Sequence, residues 1–159
     1  INLERNIIKQ ARDFVINLIN KTNVLVPKHS RLEISHHYGI GNLDKFGLYM
    51  ITIINLNYCK KLLFQKSGQE HPEQYHKVKS ETFFIISGKI NLVLDGIQKQ
   101  YGPGDLVTIQ PGVKHSWKAL EDCVIEEISS THDINDSFYS DDSINLSNER
   151  KSFISLFTD

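Results

Sequence analysis

The stretch GQEHPEQYHKVKSETFFIISG, from Gly68 to Gly88, places three side chains that can bind a metal ion beside a strand-forming sequence. Gln74 and His76 are two positions apart, and side chains at this spacing on a strand point to the same face. Glu81 follows the polar turn KVKS and begins an apolar run, so we expect it to approach the same point from the next strand. The stretch therefore predicts a metal site between two strands, with a glutamine among its ligands.

A second segment, GPGDLVTIQPGVKHSW, begins at Gly102 and supplies another histidine, His115, at the end of an apolar run. Two histidines and a carboxylate from different strands form a facial triad, which leaves coordination positions open. Such ligands suit Mn, Fe, Ni or Zn, so the residues predict a divalent metal without choosing among them. The amide oxygen of Gln74 is a neutral, hard donor that would favour Fe or Mn over Zn. The alternative is that Gln74 does not ligate and hydrogen-bonds a substrate or water.

Length and charge exclude several classes of protein. The chain has 159 residues, which suits one domain, and a net charge of −1, so we expect no nucleic-acid partner. No apolar run reaches the roughly 20 residues that span a bilayer, and no signal peptide begins the chain. Cys59 and Cys123 lie far apart, so we expect reduced core thiols and a cytoplasmic location. The chain begins at Ile1, which suggests a module cut from a larger protein.

Three segments follow from the hydrophobic pattern. Apolar residues at helical spacing predict an amphipathic helix over residues 1–22, which would cover a sheet. Short strands with turn signals between them, such as Asp95-Gly96, predict an antiparallel sandwich or barrel over residues 23–132. Residues 133–159 are rich in Ser, Asp and Asn and form a predicted extension. We expect its aspartates to be solvated, and FISLF near the end could dock as a strand or short helix.

The two motifs resemble those of the cupin superfamily. They read G-x5-Q-x-H-x4-E-x6-G from Gly68 to Gly88 and G-x7-G-x2-H from Gly104 to His115. The resemblance implies an all-β double-stranded β-helix, the cupin jelly roll, with a metal in its mouth. Gln74 departs from it, because the family motif has a histidine there.

Two other positions depart from the cupin pattern. Gln110 stands at the position of the motif's proline, and Ala119 at that of its asparagine. These departures leave open a second possibility, a cupin that has lost its metal. Its histidines and glutamate would then form a hydrogen-bonded polar cluster.

A longer resemblance covers most of the chain after residue 30. Segments such as LEISHHYG, NYCKKLLF and GVKHSW look like the cupin modules associated with bacterial sialic-acid (N-acetylneuraminate) synthases. The resemblance implies a module that binds a sugar or sugar acid in nonulosonate or related surface-carbohydrate metabolism. A larger synthase-like chain would be its partner, and Lys77, Lys79 and Lys114 could meet an anionic sugar. Pairing of jelly-roll edges predicts a homodimer.

The D-lyxose isomerases are a related cupin group, and they supply an enzymatic alternative. The chain would then be a metal-dependent sugar isomerase or epimerase, in which a carboxylate moves a proton between adjacent carbons. Glu126 and Glu127 are the candidates, and strand alternation puts only one of them inside. An exposed acidic edge is the alternative for either residue. An Fe(II) dioxygenase and a dimerisation domain without a ligand are further possibilities.

Other histidines and aromatic residues are assigned by their position in the strands. Strand parity and Pro72 place His71 at the rim of the barrel, away from His76. His36 and His37 favour a surface or interface role over a second metal site. Three aromatic side chains have two possible roles, and they are Tyr75, Tyr101 and Trp117. They could stack on a sugar at the mouth of the barrel, or they could pack in its interior.

Overall fold

The computed structural model describes residues 2–147 and 149–157. Ile1 of the predicted helix, and Asn148, Thr158 and Asp159 of the predicted extension, lie outside the described residues. The elements in chain order are helix α1 (Asn2–Thr22), strands β1 (Arg31–Ser35), β2 (Leu48–Asn55), β3 (Tyr58–Gln65), β4 (Glu70–Tyr75), β5 (Glu81–Ser87), β6 (Ile90–Leu94), β7 (Ile97–Tyr101), β8 (Leu106–Ile109), β9 (His115–Ala119), β10 (Cys123–Ser130) and β11 (Phe138–Tyr139), helix α2 (Asp142–Asn145) and strand β12 (Lys151–Ser155). Short 3-10 turns cover Ile40–Asn42 and Ile134–Asp136.

The strands form two antiparallel sheets that face each other. The larger has the order β12-β1-β2-β3-β10-β5-β8 and the smaller β11-β4-β9-β6-β7. Alternation builds the interior: in β5, Glu81, Phe83 and Ile85 are buried, while the residues between them are less buried. The predicted all-β jelly roll is confirmed.

The larger sheet is covered on both faces. One face lines the barrel interior, where residues such as Leu63, Phe83 and Ile125 form one apolar cluster. The other face carries the predicted amphipathic helix, and Val15 of α1 packs in a second cluster with Val124 of β10. The central strands β2, β3 and β10 are therefore apolar on both sides over part of their length, and alternation in the sequence is weak there.

Two turns need residues with positive φ. Asp95 and Gly96 have φ of 46° and 83° and close the tight hairpin between β6 and β7, as predicted. Gly88, which ends the opening motif, has φ of 82° and lies against the turn before β10. A Cβ atom there would lie 2.2 Å from the carbonyl oxygen of Asp122, so the motif requires glycine at this position.

The predicted extension joins both sheets. Strand β11 pairs with β4, and β12, which contains most of FISLF, pairs with β1. Ile144 and Leu156 are fully buried. The boundary at residue 132 stays a prediction, but the segment after it belongs to the same packed body. Among the described residues, no helix has both the length and the apolar character needed to cross a membrane.

Candidate metal centre

Three ligand atoms converge inside the barrel. His76 lies just after β4, Glu81 begins β5 and His115 begins β9. The Oε1 atom of Glu81 is 3.4 Å from Nε2 of His76 and 3.0 Å from Nε2 of His115. All three atoms lie within 4.8 Å of one another, and the three residues are buried. The structure therefore brings these three predicted side chains together, and their ligation of a metal stays a prediction.

Hydrogen bonds fix the orientation of both imidazoles. Nδ1 of His76 donates to the carbonyl oxygen of Asp136 at 2.7 Å, and Nδ1 of His115 donates to that of Val113 at 3.0 Å. A carbonyl oxygen only accepts, so each neutral ring carries its proton on Nδ1 and a lone pair on Nε2. Both lone pairs then face the carboxylate of Glu81, which is also an acceptor.

The convergence of three acceptors indicates a cation. Within the described part of the chain, neither Nε2 atom nor Glu81 Oε1 has a hydrogen-bond partner. Buried polar atoms without partners are unfavourable, and three acceptors cannot satisfy one another. A divalent metal would satisfy all three, and the backbone carbonyls behind the histidines are the outer partners such a site needs. The residues therefore fit a metal.

Lys79 keeps the carboxylate of Glu81 ionised. Its Nζ atom lies 3.3 Å from Glu81 and 3.7 Å from Glu127, and all three side chains are buried. Burial alone would raise the pKa of Glu81, but the ammonium group of Lys79 opposes this effect, and the pKa of Glu81 lies well below its usual range. Burial likewise opposes the charge of Lys79, yet Glu127 and Glu81 raise its pKa above the ordinary value.

Gln74 is buried beside the triad, opposite His115 in the register of β4 and β9. Nδ1 of His71 donates to the Pro72 carbonyl at 2.8 Å, so Nε2 of this neutral ring is an acceptor. The amide nitrogen of Gln74 donates to that Nε2 atom at 3.4 Å. This contact occupies the nitrogen of the amide and leaves the oxygen for another partner. Ligation of a metal by Gln74 stays a prediction.

His71 lies inside the barrel, where the sequence placed it at the rim. Its ring stacks on Trp117 with centroids 4.2 Å apart and planes 4° apart. The pairing of β4 with β9 shifts register between His71 and Gln74, at Pro72, so simple strand parity fails across this segment. The proline was the signal that could have warned of the shift.

The two candidate bases lie on opposite faces of β10. Glu127 is 5% exposed and lines the cavity beside the triad. Glu126 lies outside that cavity and pairs with Lys60 at 3.5 Å, with 23% and 43% of the two side chains exposed. The catalytic role predicted for Glu126 has no support from its position, since strand alternation turns it away from the metal ligands. Burial and the nearby Glu81 raise the pKa of Glu127.

The cavity is small and lined mostly by polar side chains. Its volume is about 50 Å³, enough for a few water molecules. Trp117 lines it, whereas Tyr75 stacks on Phe138 away from it. Sequence analysis missed several lining residues, which come from distant segments: Lys61, Tyr139, Arg150 and Lys151. Among the lysines predicted to meet an anionic sugar, Lys79 lines the cavity.

The adjacent histidines His36 and His37 are both buried, contrary to the surface role we favoured. His36 is hydrogen-bonded through Nε2 to Ser152 of β12 at 3.0 Å. His37 lines the cavity and packs edge-on against His71, with ring centroids 4.7 Å apart. Burial, reinforced by Arg150 and Lys151, lowers the pKa of His37 to about 3, so its ring is neutral.

Asp136 attaches the C-terminal segment to the ligand loop between β4 and β5. Its carboxylate accepts from the backbone N–H groups of Lys77 at 2.8 Å, Lys79 at 2.9 Å and Val78 at 3.2 Å, while its carbonyl accepts from His76. The residue is 8% exposed, so the expectation that it is solvated is wrong. Sequence alone offered no signal, because the partners lie 57 to 60 positions away.

Comparisons with known proteins agree with this geometry. The cupin domain family model matches residues 62–128. The D-lyxose/D-mannose isomerase of Thermosediminibacter oceani is 26% identical over 169 residues, covering 87% of this chain and 93% of the relative. The D-lyxose ketol-isomerase of Cohnella laeviribosi is 30% identical over 154 residues, covering 77% of this chain and 84% of the relative.

Solved structures support the fold alone. An oxalate decarboxylase variant from Bacillus subtilis has a TM-score of 0.56 at 20% identity, covering 64% of this chain and 30% of its own. KdgF from a Halomonas species has a TM-score of 0.53 at 16% identity, covering 55% of this chain and 82% of its own. Both contain the barrel that places the ligands.

Proposed function

The chain belongs to the cupin superfamily and to the same family as the D-lyxose ketol-isomerase of Cohnella laeviribosi, and on this premise we propose that it is a metal-dependent aldose–ketose isomerase. One observation carries the proposal: His76 and Glu81, two of the three convergent acceptors, line the same cavity as Glu127, a buried carboxylate outside the ligand set. A metal site with a separate carboxylate base is the combination that this reaction needs.

The triad would hold the metal, and Gln74 would supply a fourth ligand through its amide oxygen. A divalent metal, when bound, polarises the carbonyl and hydroxyl oxygens of the sugar and so makes the neighbouring C–H more acidic. The mixed nitrogen and oxygen ligands suit Mn, Fe, Ni or Zn. Glu127 takes no part in binding the metal in this proposal and is left to act on the substrate.

Glu127 would move the proton between carbons. Isomerisation removes a proton from the hydroxyl-bearing carbon beside the carbonyl and returns one to the former carbonyl carbon, while the hydroxyl proton passes between the two oxygens. The carboxylate of Glu127 can take the first proton and return it, and its raised pKa brings it closer to neutral pH, where a general base works well. Lys79, which contacts both Glu81 and Glu127, would stabilise negative charge as the proton moves.

Access for the sugar requires movement at the mouth. The cavity is smaller than typical ligand sites of about 300–1,000 Å³. Arg150 and Lys151, half-buried side chains from the C-terminal segment, line the cavity and would have to move aside, which for Lys151 means breaking its ion pair with Glu33. Once they close again, they would help to exclude water from the reacting carbons.

A sugar-acid-binding module of nonulosonate metabolism is the second candidate, because cationic side chains outnumber carboxylates in the cavity lining. That candidate carries with it the predicted synthase-like partner chain. Homodimerisation and a cytoplasmic location also remain proposals. A module would bind its sugar acid without forming a product, which separates it from an isomerase.

The test combines metal analysis with product detection. Protein loaded with Mn, Fe, Ni or Zn is incubated with D-lyxose and D-mannose in D₂O, and the ketose is followed by NMR. We expect a ketose that carries solvent deuterium, and a loss of about 100-fold or more in Glu127→Gln with its metal retained. Glu126→Gln, on the opposite face of β10, is the matched control. Metal-loaded protein that forms no ketose from these sugars or from the corresponding phosphorylated aldoses would overturn the proposal.

A further inference from the structure

Basic side chains outnumber acidic ones around the cavity. Two of its lysines are already engaged: Lys79 contacts both lining carboxylates, and Lys151 pairs with Glu33 at 2.9 Å. Among the described residues, the remaining two cations, Lys61 and Arg150, form no ion pair. The lining therefore holds positive charge that the protein's own carboxylates do not match.

Lys61 is the stronger indication, because its side chain is only 3% exposed. Burying an ammonium group without a paired anion is costly. Glu127 is its partner in the strand register, but the Glu127 carboxylate is directed to Lys79 at 3.7 Å. Burial accordingly lowers the pKa of Lys61 below its ordinary value. An anion that enters the cavity would restore the balance of charge.

Arg150 and His37 add donors to the same cavity. The Arg150 guanidinium lies 5.1 Å from the ring centroid of Tyr139, and the Tyr139 ring is 5.4 Å from that of His37. Nδ1 of His37 is buried without a hydrogen-bond partner in the described ranges. A guanidinium, an ammonium group and an imidazole are groups that bind phosphate or carboxylate oxygens.

The spacing fits a substrate that reaches the metal ligands at its other end. Lys61 lies on β3, and Glu81 lies on β5, with β10 between them. By register, Lys61 lies two strand spacings across and two residues along from Glu81, so their backbone positions are about 12 Å apart, a distance that an extended six-carbon sugar with a terminal anionic group can span between the two side chains. A sugar with its carbonyl at the metal ligands would thus carry its far end towards Lys61.

We propose that Lys61 and Arg150 form an anion subsite, and that the substrate is a sugar bearing a phosphate or carboxylate at the end remote from its carbonyl. The substrate assignment rests on the proposed isomerase function. Binding of the anionic sugar does not rest on that function. The subsite consists of residues other than the triad, Glu127 and Lys79.

Binding measurements on the full chain test the subsite directly. Isothermal titration of the metal-loaded protein compares D-mannose, D-mannose 6-phosphate, D-glucuronate and inorganic phosphate. We expect one anionic sugar to bind at least about tenfold more tightly than D-mannose, and the affinity to fall with added salt. The phosphate and uronate arms identify the anionic group. Equal or weaker binding of both anionic sugars would overturn the subsite, whatever the variants do.

Matched variants locate the effect. Lys61→Met and Arg150→Gln should each lower the anionic-to-neutral affinity ratio by about tenfold. Lys60→Met is the control for the first, since Lys60 is on the outer face of β3 beside Glu126. Arg31→Gln controls the second, because Arg31 is exposed over Phe153. If Lys61→Met does not fold, Arg150→Gln still tests the subsite. An unchanged ratio of anionic to neutral sugar affinity in Arg150→Gln would refute the proposed anion subsite.

The outcomes separate this inference from the proposed function. Turnover of D-mannose without tighter binding of anionic sugars would support the isomerase proposal and refute the anion subsite. Tight binding of an anionic sugar that is lost in the variants, with no ketose formed from any sugar, would keep the subsite and remove the isomerase.

Discussion

Replacing Asp136 with alanine tests whether the C-terminal segment holds the metal ligands in place. The side chain accepts from three backbone N–H groups of the loop that carries His76 and Lys79. Alanine keeps the backbone carbonyl that orients His76 but removes all three of these contacts. The loop would then keep only contacts near its two ends, such as those of His76 with the carbonyl of Asp136 and with the N–H of Gly112, so both stability and metal affinity should fall.

The size of the effect follows from the burial of each donor. Lys77 and Val78 are exposed, so their N–H groups can bond to water once the carboxylate is removed. The N–H of Lys79 is buried, and its loss of a charged acceptor contributes most of the change. A hydrogen bond to a charged group contributes about 1.5–3 kcal/mol, so Asp136→Ala should lower the free energy of unfolding by about 3 kcal/mol. Asp136→Asn keeps a neutral acceptor and should lose about half of that.

Metal affinity is the measurement that separates positioning from general stability. Loss of an outer partner of a metal-binding histidine typically lowers affinity by about 10–100-fold. Asp136→Ala keeps the carbonyl bonded to His76 and loosens only the loop, so we expect a loss of about tenfold, at the lower end of this range. Competition with a chelator gives the affinity, and urea unfolding of the metal-free protein gives the stability. Asp133→Ala is the control, because Asp133 immediately precedes the same 3-10 turn, and its side chain accepts from the N–H of Asn135 at 2.8 Å and not from the ligand loop.

Two results would refute this reasoning about Asp136. One is a folded Asp136→Ala protein whose metal affinity changes by less than about threefold. The other is an Asp136→Asn protein that behaves like the alanine variant, because the partial rescue follows from the remaining acceptor.

Three further predictions concern the metal ligands, the motif glycine and a buried thiol. His115→Ala should weaken metal binding by more than about 100-fold, measured by competition with a chelator. Gln74→His should tighten Zn binding more than Mn binding. An unchanged ratio of Zn to Mn affinity would show that residue 74 does not bind the metal. Gly88→Ala should lower the free energy of unfolding by about 3 kcal/mol in urea, because the added Cβ would clash with the facing turn. Gly68 has a φ of 94° but open space where a Cβ would lie, so Gly68→Ala should lower it by about 1 kcal/mol. Equal effects of the two substitutions would contradict the clash at Gly88. Burial raises the pKa of Cys123 to about 12, so Ellman's reagent at pH 8 should label it only as the protein unfolds, and fast labelling of the native protein would contradict its burial.

The barrel and the triad were predictable because local patterns specify them. The turn at Asp95 and Gly96 needs two residues with positive φ, and the sequence supplies residues that tolerate it. The spacing from His76 to Glu81 spans the short loop between β4 and β5, so the two residues stay close although the two strands belong to different sheets. These features depend on neighbours in the chain, which a single sequence displays.

The choice between Glu126 and Glu127 was not predictable, and the reason is physical. Strand β10 is covered by the barrel interior on one face and by helix α1 on the other, so Val124 and Ile125 are both buried. Apolar residues on both faces remove the alternation that would have identified the inner side. The prediction that His71 lies at the rim failed for another reason. The register shift near Pro72 turns the His71 side chain to the opposite face of the strand.

The metal centre extends beyond the segment that carries the cupin signature. Residues 62–128 include the three converging ligands, yet the carbonyl that fixes the tautomer of His76 belongs to Asp136. Without that acceptor, the proton of the imidazole could sit on either nitrogen, and Nε2 would no longer be committed as a lone-pair donor. Arg150 lines the same cavity from still further along the chain. The segment after residue 132 therefore completes the site, because it sets the protonation geometry of one ligand and supplies charge at the mouth.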